Sequence, residues 1–197
     1  MYENNFPNKR FRITLGFLKQ FISKKDRILD LGTINPFSDI LKKEGYKVTN
    51  TEGEDLDLDT TIVKKEDFDV ITAFQIFEHM VVPFNVLNDI KATKLIASVP
   101  LKLWFASAYK SKTDKWDRHY HEFEDWQFNW LLEKSGWEVK KSIQFTSPVK
   151  KIGKFRMCFS DQNISLKIKK FPGVPDVQKH PPRRLPATHK YTIQNHS

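Results

Sequence analysis

Short apolar runs alternate along this chain with segments whose apolar residues recur at helical spacing. We predict strands at RILDL (27–31), YKVTNT (46–51), FDVITAF (68–74), LIASV (95–99) and WEVKKSIQF (137–145). The predicted helices between them run from Asn35-Pro36 to Gly45, over 83–92 and over 124–136. Strands that alternate with helices of about ten residues indicate βαβ units. We therefore expect an α/β domain whose sheet is mainly parallel.

The pattern and the charge divide the chain into three parts. Residues 1–24 form an N-terminal helical segment, 25–150 the α/β domain, and 151–197 a basic, Pro-rich extension. Residues 1–150 hold 23 Lys and Arg against 22 Asp and Glu, whereas 151–197 hold 10 against 2. We expect the extension to be partly disordered, apart from a last antiparallel strand or hairpin within 152–168. Its charge suits phosphate backbones, but we favour a solvated extension as the explanation, and no nucleic-acid partner is expected.

The sequence predicts a soluble, cytoplasmic protein without a membrane span. No stretch approaches the roughly 18–20 apolar residues that a span requires, and the first residues lack the apolar run of a signal peptide. The single Cys158 excludes an internal disulfide and a metal site built from cysteines.

Ligands of parallel α/β sheets bind beyond the carboxyl ends of the strands, so the residues that follow each strand are the candidates. After the first strand, Gly32 lets a ligand approach the backbone, and Asp30 can accept hydrogen bonds from turn amides or from a ligand amine. After the second strand, Glu52 can accept both hydroxyls of a ribose, as acidic residues do in dinucleotide sites. A plain turn and a solvent-facing glutamate are the alternatives.

The order and spacing of several segments resemble the class I S-adenosylmethionine (SAM)-dependent methyltransferases, specifically the type 11/type 23 methyltransferase-like group. The segments are LDLG (29–32), YKVTNTE (46–52), FDVITAFQIFEHM (68–80), LIASVP (95–100) and HYHEFEDWQFNWLLEKSGWEV (119–139). The resemblance implies a Rossmann-like three-layer sandwich of the class I methyltransferase type, with SAM as cofactor. Methyl transfer from a sulfonium has a neutral leaving group and requires no metal, so we expect no metal site.

The same resemblance implies roles for individual residues. Asp30 and Gly32 would line the methionine part of SAM, and Glu52 would hold the ribose hydroxyls. Phe74 and Gln75 would lie near the sulfonium, with Asp57 at the adenine edge. The sequence departs from the family in its loop after the first strand, where Ile34 and Pro36 replace two expected glycines. A rearranged loop that still binds SAM is our expectation, and loss of binding is the alternative.

Two histidines are the candidate catalytic residues. His79 can act as a general base, since an unperturbed histidine has a pKa of about 6.5, or it can support its loop through local hydrogen bonds. His119 can contact substrate or serve a structural role. A metal site formed with His121 and Glu122 is a third interpretation, which the spacing does not favour. Four nearby aromatic residues are expected to wall a substrate pocket or form a lid over it, and core packing is the alternative. They are Trp104, Phe105, Tyr109 and Trp116.

These features predict methyl transfer to an oxygen or nitrogen of a small metabolite or glycan precursor. A degenerate methyltransferase fold that serves as a binding module is the main alternative, because of Ile34 and Pro36. An NAD-dependent oxidoreductase would need G-x-G-x-x-G, of which GTINPF has one glycine. A nucleic-acid methyltransferase would fit the basic tail, but FQIFEH stands where base amino-methylating enzymes carry D/N-P-P-Y/F. The oligomeric state is not predicted.

Overall fold

The computed structural model describes residues 7–102, 107–114, 117–146 and 154–161. Helices are α1 (Pro7–Leu18), α2 (Pro36–Lys43), α3 (Pro83–Asp89) and α4 (Asp125–Lys134). Strands are β1 (Arg27–Asp30), β2 (Lys47–Asn50), β3 (Val70–Phe74), β4 (Lys94–Pro100), β5 (Glu138–Thr146) and β6 (Lys154–Asp161). Short 3-10 turns lie at Thr61–Lys64 and Phe77–His79.

The six strands form one sheet in the order β2-β1-β3-β4-β6-β5. Strands β1 to β4 are parallel, and the last two strands run antiparallel to their neighbours. Strand β6 lies inside the predicted C-terminal extension, where the sequence predicts a last antiparallel strand. Residues 162–197 lie outside the described residues. The chain runs from β1 outward to β2 and then crosses back past β1 to β3, so the strand order reverses between β1 and β3.

Apolar residues of the strands point alternately to the two faces of the sheet. Ile28 packs with α1 and α2, whereas its neighbour Leu29 packs with α3 and α4. Each face is therefore covered by helices, and the predicted α/β three-layer sandwich with a mainly parallel sheet is confirmed. In the described part of the chain, no helix combines the length and the apolar character needed to cross a membrane.

Helix α2 begins as its sequence predicts. Asn35 is the N-cap, and its Oδ1 accepts hydrogen bonds from the amides of Phe37 at 3.0 Å and Ser38 at 3.1 Å. Pro36 occupies the first helical turn, where a missing amide costs nothing. Gly45, with φ of +86°, follows the end of the helix and turns the chain into β2.

Candidate functional site

Two pockets open at the carboxyl edge of the sheet, where the strand order reverses between β1 and β3. The inner pocket, of about 270 Å³, lies between α1, the β1–α2 turn and the end of β3. The acidic pocket, of about 830 Å³, is lined by residues between 51 and 58, by residues 79–82 and by Tyr120. Gly32, Ile76 and His79 line both pockets, so the two meet there. Reversal points of this kind are where open α/β sheets bind ligands.

Gly32 adopts a backbone conformation that other residues rarely tolerate. Its φ is +109°, and an added Cβ would lie 3.3 Å from Cδ1 of Ile76. Its amide donates to the Oγ1 of Thr51 over 2.7 Å, which fixes the turn against the end of β2. A side chain here would push against Ile76 at the junction of the pockets.

Asp30 is buried at the end of β1, and both of its carboxylate oxygens are already hydrogen-bonded. Oδ1 accepts from the Thr72 hydroxyl at 2.6 Å, and Oδ2 accepts from Ser38, Asn50 and Asn35 at 3.0, 3.1 and 3.3 Å. Burial raises the pKa of Asp30, and these four hydrogen bonds lower it. The residue lines the inner pocket, but its main contacts brace the turn that carries Gly32.

The loop after β1 departs from a glycine-rich loop without filling the site. Ile34 is 68% exposed and lines neither pocket. Pro36 lines the inner pocket and has no amide, and the amides of Phe37, Ser38 and Asp39 bond to Asn35. Among these described residues, the first turn of α2 therefore offers no unpaired amide to an anionic group.

Glu52 follows β2 directly, on the same edge of the sheet as Gly32, but its exposed side chain lies outside the lining of both pockets. Glu54 lines the acidic pocket instead, and its Oε2 accepts the amides of Glu52 at 2.7 Å and Gly53 at 3.1 Å. Gly53, with φ of +102°, makes the turn that brings Glu54 back. Sequence reasoning missed Glu54, although a glycine between two glutamates is a turn signal.

Asp57 lines the acidic pocket, where it holds the segment after β3. Its Oδ2 accepts the amide of Val81 at 2.7 Å, and its Oδ1 accepts the amide of Val82 at 2.8 Å. Both oxygens are thus engaged by the backbone, and the residue ties the loop after β2 to the entrance of α3.

Phe74 and Gln75 line the inner pocket at the end of β3. The Phe74 ring packs edge-on against Phe37, with centroids 5.3 Å apart. Gln75 has a φ of +61°, uncommon for a residue with a side chain, and its Nε2 donates to the Ser98 hydroxyl at 3.0 Å. The strained backbone and this bond to β4 together fix the direction of the strand end.

The two candidate catalytic histidines pack against each other. Their rings meet edge to face, with centroids 4.9 Å apart. His79 Nδ1 lies 2.9 Å from the backbone oxygen of Arg118, and His119 Nδ1 lies 2.9 Å from Oε1 of Glu122. Burial lowers the pKa of His79, the Arg118 carbonyl raises it, and nearby His119 lowers it. His121 does not join this pair, since its Nε2 lies 3.2 Å from the Val81 oxygen.

Glu78 lies beneath this histidine pair and is completely buried. Its backbone oxygen accepts the amides of Tyr120 at 2.7 Å and His121 at 3.2 Å, but neither oxygen of its side chain has a hydrogen-bond partner among the described residues. Burial raises the pKa of Glu78 to about 8; its own amide and Arg10 lower it, and Glu122 raises it.

Residues that the sequence did not single out complete the inner pocket. Arg10, Phe11 and Thr14 of α1 line it, as does Ser98 of β4. No local signal marks them, because α1 lies far from the other lining residues along the chain. Of the four aromatic residues predicted to wall a pocket, Tyr109 packs on the His119 ring at 5.1 Å. Trp104, Phe105 and Trp116 lie outside the described residues.

No protein-family model and no curated protein matches the chain. Solved structures do match. The Burkholderia thailandensis 1,6-didemethyltoxoflavin-N1-methyltransferase, crystallised with 1,6-didemethyltoxoflavin and S-adenosylhomocysteine, has a TM-score of 0.59 at 15% identity, covering 77% of each chain. A SAM-dependent methyltransferase of Methanosarcina mazei has a TM-score of 0.56 at 12% identity, covering 74% of this chain and 96% of that one.

The cyclase SpnF also matches, with a TM-score of 0.52 at 12% identity over 82% of this chain and 85% of that one. At such identities the likeness concerns the fold, which hosts more than one named activity. This chain has the Rossmann-like fold of the class I SAM-dependent methyltransferases.

Proposed function

We propose that the chain is a SAM-dependent methyltransferase that acts on an oxygen or nitrogen of a small metabolite or glycan precursor. The observation that carries this proposal is the meeting of two pockets at Gly32, Ile76 and His79, at the reversal point of the sheet. The methyltransferase fold of the matching structures supports it. So does the order of sequence segments that resembles the type 11/type 23 group.

The residues at the junction fit an adenosine-containing cofactor. The acidic pocket provides carboxylates for ribose hydroxyls and apolar side chains such as Leu56 and Met80 for a purine ring. Gly32 lines both pockets without a side chain, so its backbone and the side chain of Ile76 together form the wall at the junction. We assign the ribose to Glu54 or Glu52, the adenine edge to Asp57, and the methionine part to the inner pocket beside Gly32, Phe74 and Gln75.

SAM, when bound, supplies a methyl group on a positively charged sulfur that leaves as a neutral thioether. The chain's own contribution is mainly positioning, which in favourable cases supplies about 7–11 kcal/mol of the barrier reduction. His79 adds a proton acceptor at the junction. A carbonyl can only accept, so His79 Nδ1 carries the hydrogen and Nε2 keeps a lone pair. Burial lowers the pKa of His79, which favours this neutral form at pH 7.

A binding module without catalysis is the second candidate. The observation that favours it is the pairing of the first amides of α2 with Asn35, which removes donors that could hold a carboxylate. SpnF, which also matches, is named a cyclase and not a methyltransferase, so the same fold is found in proteins with other named activities. This candidate predicts ligand binding without methyl transfer.

Calorimetric binding of SAM and S-adenosylhomocysteine to the full chain tests the proposal. We compare the wild-type chain with Glu54→Gln and Glu52→Gln, two acids on either side of Gly53. A lost charge-assisted hydrogen bond costs about 1.5–3 kcal/mol, so we expect affinity to fall about 10- to 150-fold in the variant whose carboxylate holds the ribose. The other variant serves as its control.

Absence of binding by the wild-type chain would overturn the proposal. Binding with no transfer of a labelled methyl group from SAM to any small molecule of a cell extract would favour the binding module instead. Labelled product in the small-molecule fraction, lost in His79→Ala, is the result that we expect from an enzyme.

A further inference from the structure

One cluster at the junction contains more unused ligand atoms than a single general base requires. Glu78 and His79 follow β3, and His119 comes from the segment before α4. One ligand atom from each of the three lies within 4.8 Å of the others, and Nε2 of His79 is 3.9 Å from Oε1 of Glu78. We propose that Glu78, His79 and His119 bind a divalent transition-metal ion, for which zinc matches the ligands best.

The unpaired carboxylate of Glu78 is the first argument. Its side chain is completely buried, and neither oxygen has a hydrogen-bond partner among the described residues. Leaving a buried polar group unpaired destabilises the fold, and more so when the group is charged. Such exceptions in folded proteins call for an explanation, and an ion is one of the few available. A cation between Glu78 and the two imidazoles would satisfy this carboxylate.

The hydrogen bonds of the two imidazoles are the second argument. Nδ1 of His79 faces the Arg118 carbonyl, and Nδ1 of His119 faces the Glu122 carboxylate, each at 2.9 Å. Both partners accept hydrogen bonds, so each Nδ1 carries a hydrogen, and in the neutral imidazole the lone pair is then on Nε2. Metal-ligating histidines are oriented in this way by a carbonyl or carboxylate behind the ring.

The backbone holds the two halves of the cluster together. The amides of Tyr120 and His121 both donate to the backbone oxygen of Glu78, so the segment with His119 is fastened to the one with His79. Zinc ligands about 2.1 Å from the ion lie roughly 3.4 Å apart in a tetrahedron. The 3.9 Å between His79 and Glu78 exceeds this by about 0.5 Å, and the 4.8 Å that bounds all three separations exceeds it by about 1.4 Å, which side-chain rotation covers.

The ligand types select the ion. Two imidazoles and one carboxylate form the set found in catalytic zinc sites, which keep a further position open. Imidazole suits zinc, iron, nickel and copper, whereas magnesium and calcium prefer oxygen ligands. We therefore expect magnesium to bind poorly here.

The position of the cluster suggests a catalytic role for the ion, and this role rests on the proposed function. His79 lines both pockets, so the ion would lie beside the point where a methyl acceptor meets SAM. With its Nε2 bound to the ion, His79 would be a ligand and no longer the proton acceptor, so an acceptor hydroxyl at the open position would release its proton to solvent. Its oxygen would then bond to the methyl carbon while the carbon–sulfur electron pair leaves with sulfur. This predicts an acceptor with a hydroxyl oxygen rather than a neutral amine.

Metal titration of the full chain, freed of any affinity tag and stripped with chelator, tests the site. We use Zn²⁺ against a competing indicator and follow Co²⁺ by its visible absorption, with Mg²⁺ for comparison. The wild-type chain should bind one equivalent of Zn²⁺. His119→Ala and Glu78→Gln should lose this site, and Glu122→Gln, behind the His119 ring, should weaken it about 10- to 100-fold.

His121→Gln is the matched control, since His121 lies two residues from His119 but contacts the Val81 oxygen instead. It should bind Zn²⁺ like the wild-type chain. Failure of the wild-type chain to bind one equivalent, or equal affinity in His119→Ala and His121→Gln, would overturn the proposal. Binding of S-adenosylhomocysteine by each variant is measured separately, so that loss of the metal site and failure of the proposed function are distinguishable.

Discussion

Two buried carboxylates at the carboxyl edge of the sheet have opposite surroundings. Asp30, at the end of β1, accepts hydrogen bonds from four side chains. Glu78, just beyond β3, accepts none with its side chain among the described residues. The first is a brace that holds Gly32 in place, because its hydrogen-bonding capacity is spent within the protein. The side chain of Glu78 can still accept hydrogen bonds or bind a ligand, and this unused capacity distinguishes a binding group from a structural one.

The electrostatics of the two carboxyls follow from the same difference. Burial raises the pKa of both groups, because low polarity disfavours the charged form. Four donors oppose this at Asp30, whereas Glu78 reaches a pKa of about 8. If the comparison is correct, removing each carboxylate should change stability in opposite directions.

Asp30→Ala should cause the largest loss of stability. The change leaves the donors of Thr72, Ser38 and Asn50 without their acceptor, so we expect the free energy of unfolding to fall by about 3–5 kcal/mol. Urea unfolding followed by circular dichroism measures this. Asp39→Ala in the first turn of α2 is the control and should cost under about 1 kcal/mol, since Asp39 is exposed. Equal losses in the two variants would contradict the role of Asp30 as a brace.

Glu78→Met should instead stabilise the metal-free chain. It replaces a buried, unpaired carboxyl with an apolar side chain of similar length, so we expect a gain of about 1–3 kcal/mol in chelator. Glu78→Gln keeps polar atoms in the same place and should gain little. A loss of stability in Glu78→Met, measured by urea unfolding, would show that the carboxyl is satisfied within the fold.

The gain in Glu78→Met should also depend on pH. The pKa of Glu78 is about 8 when folded, against an ordinary value of 4.5, so the folded chain holds a proton that the unfolded chain has released between these values. The free energy of unfolding of the metal-free wild-type chain should therefore fall as pH rises from about 5 to about 8. The advantage of Glu78→Met should grow over the same range.

Local signals account for what the sequence predicted at this edge. The β1–α2 turn follows from Gly32, Asn35 and Pro36, whose preferences act within a few residues, and the structure has the cap and the helix start where predicted. Strand β2 ends before Glu52 as expected. The turn at Gly53 then places Glu54, rather than Glu52, in the lining of the acidic pocket. Strand periodicity ends with the strand, so it cannot predict which of two glutamates in the following loop lines the pocket.

Partnerships between distant segments could not be predicted in this way. The donors to Asp30 include Asn50 and Thr72, which only the pairing of β1 with β2 and β3 brings close. The neighbour of His119 is His79, not His121, because the chain before α4 runs beside the end of β3. The spacing of histidines within one segment therefore gives no sign that His79 and His119 are neighbours. Their arrangement depends on the tertiary structure.

Gly32→Ala should have the smallest effect on stability, and it tests whether the braced turn serves a ligand. A side chain at a φ of +109° costs about 1–2 kcal/mol, and Gly136→Ala, at +89° with nothing within 4 Å, should cost a similar amount. Only at Gly32 does the new Cβ meet Cδ1 of Ile76, at 3.3 Å, where the two pockets join. S-adenosylhomocysteine should therefore bind about 10-fold or more weakly to Gly32→Ala, and with wild-type affinity to Gly136→Ala. Equal binding by both variants would mean that the brace around Asp30 supports the fold alone.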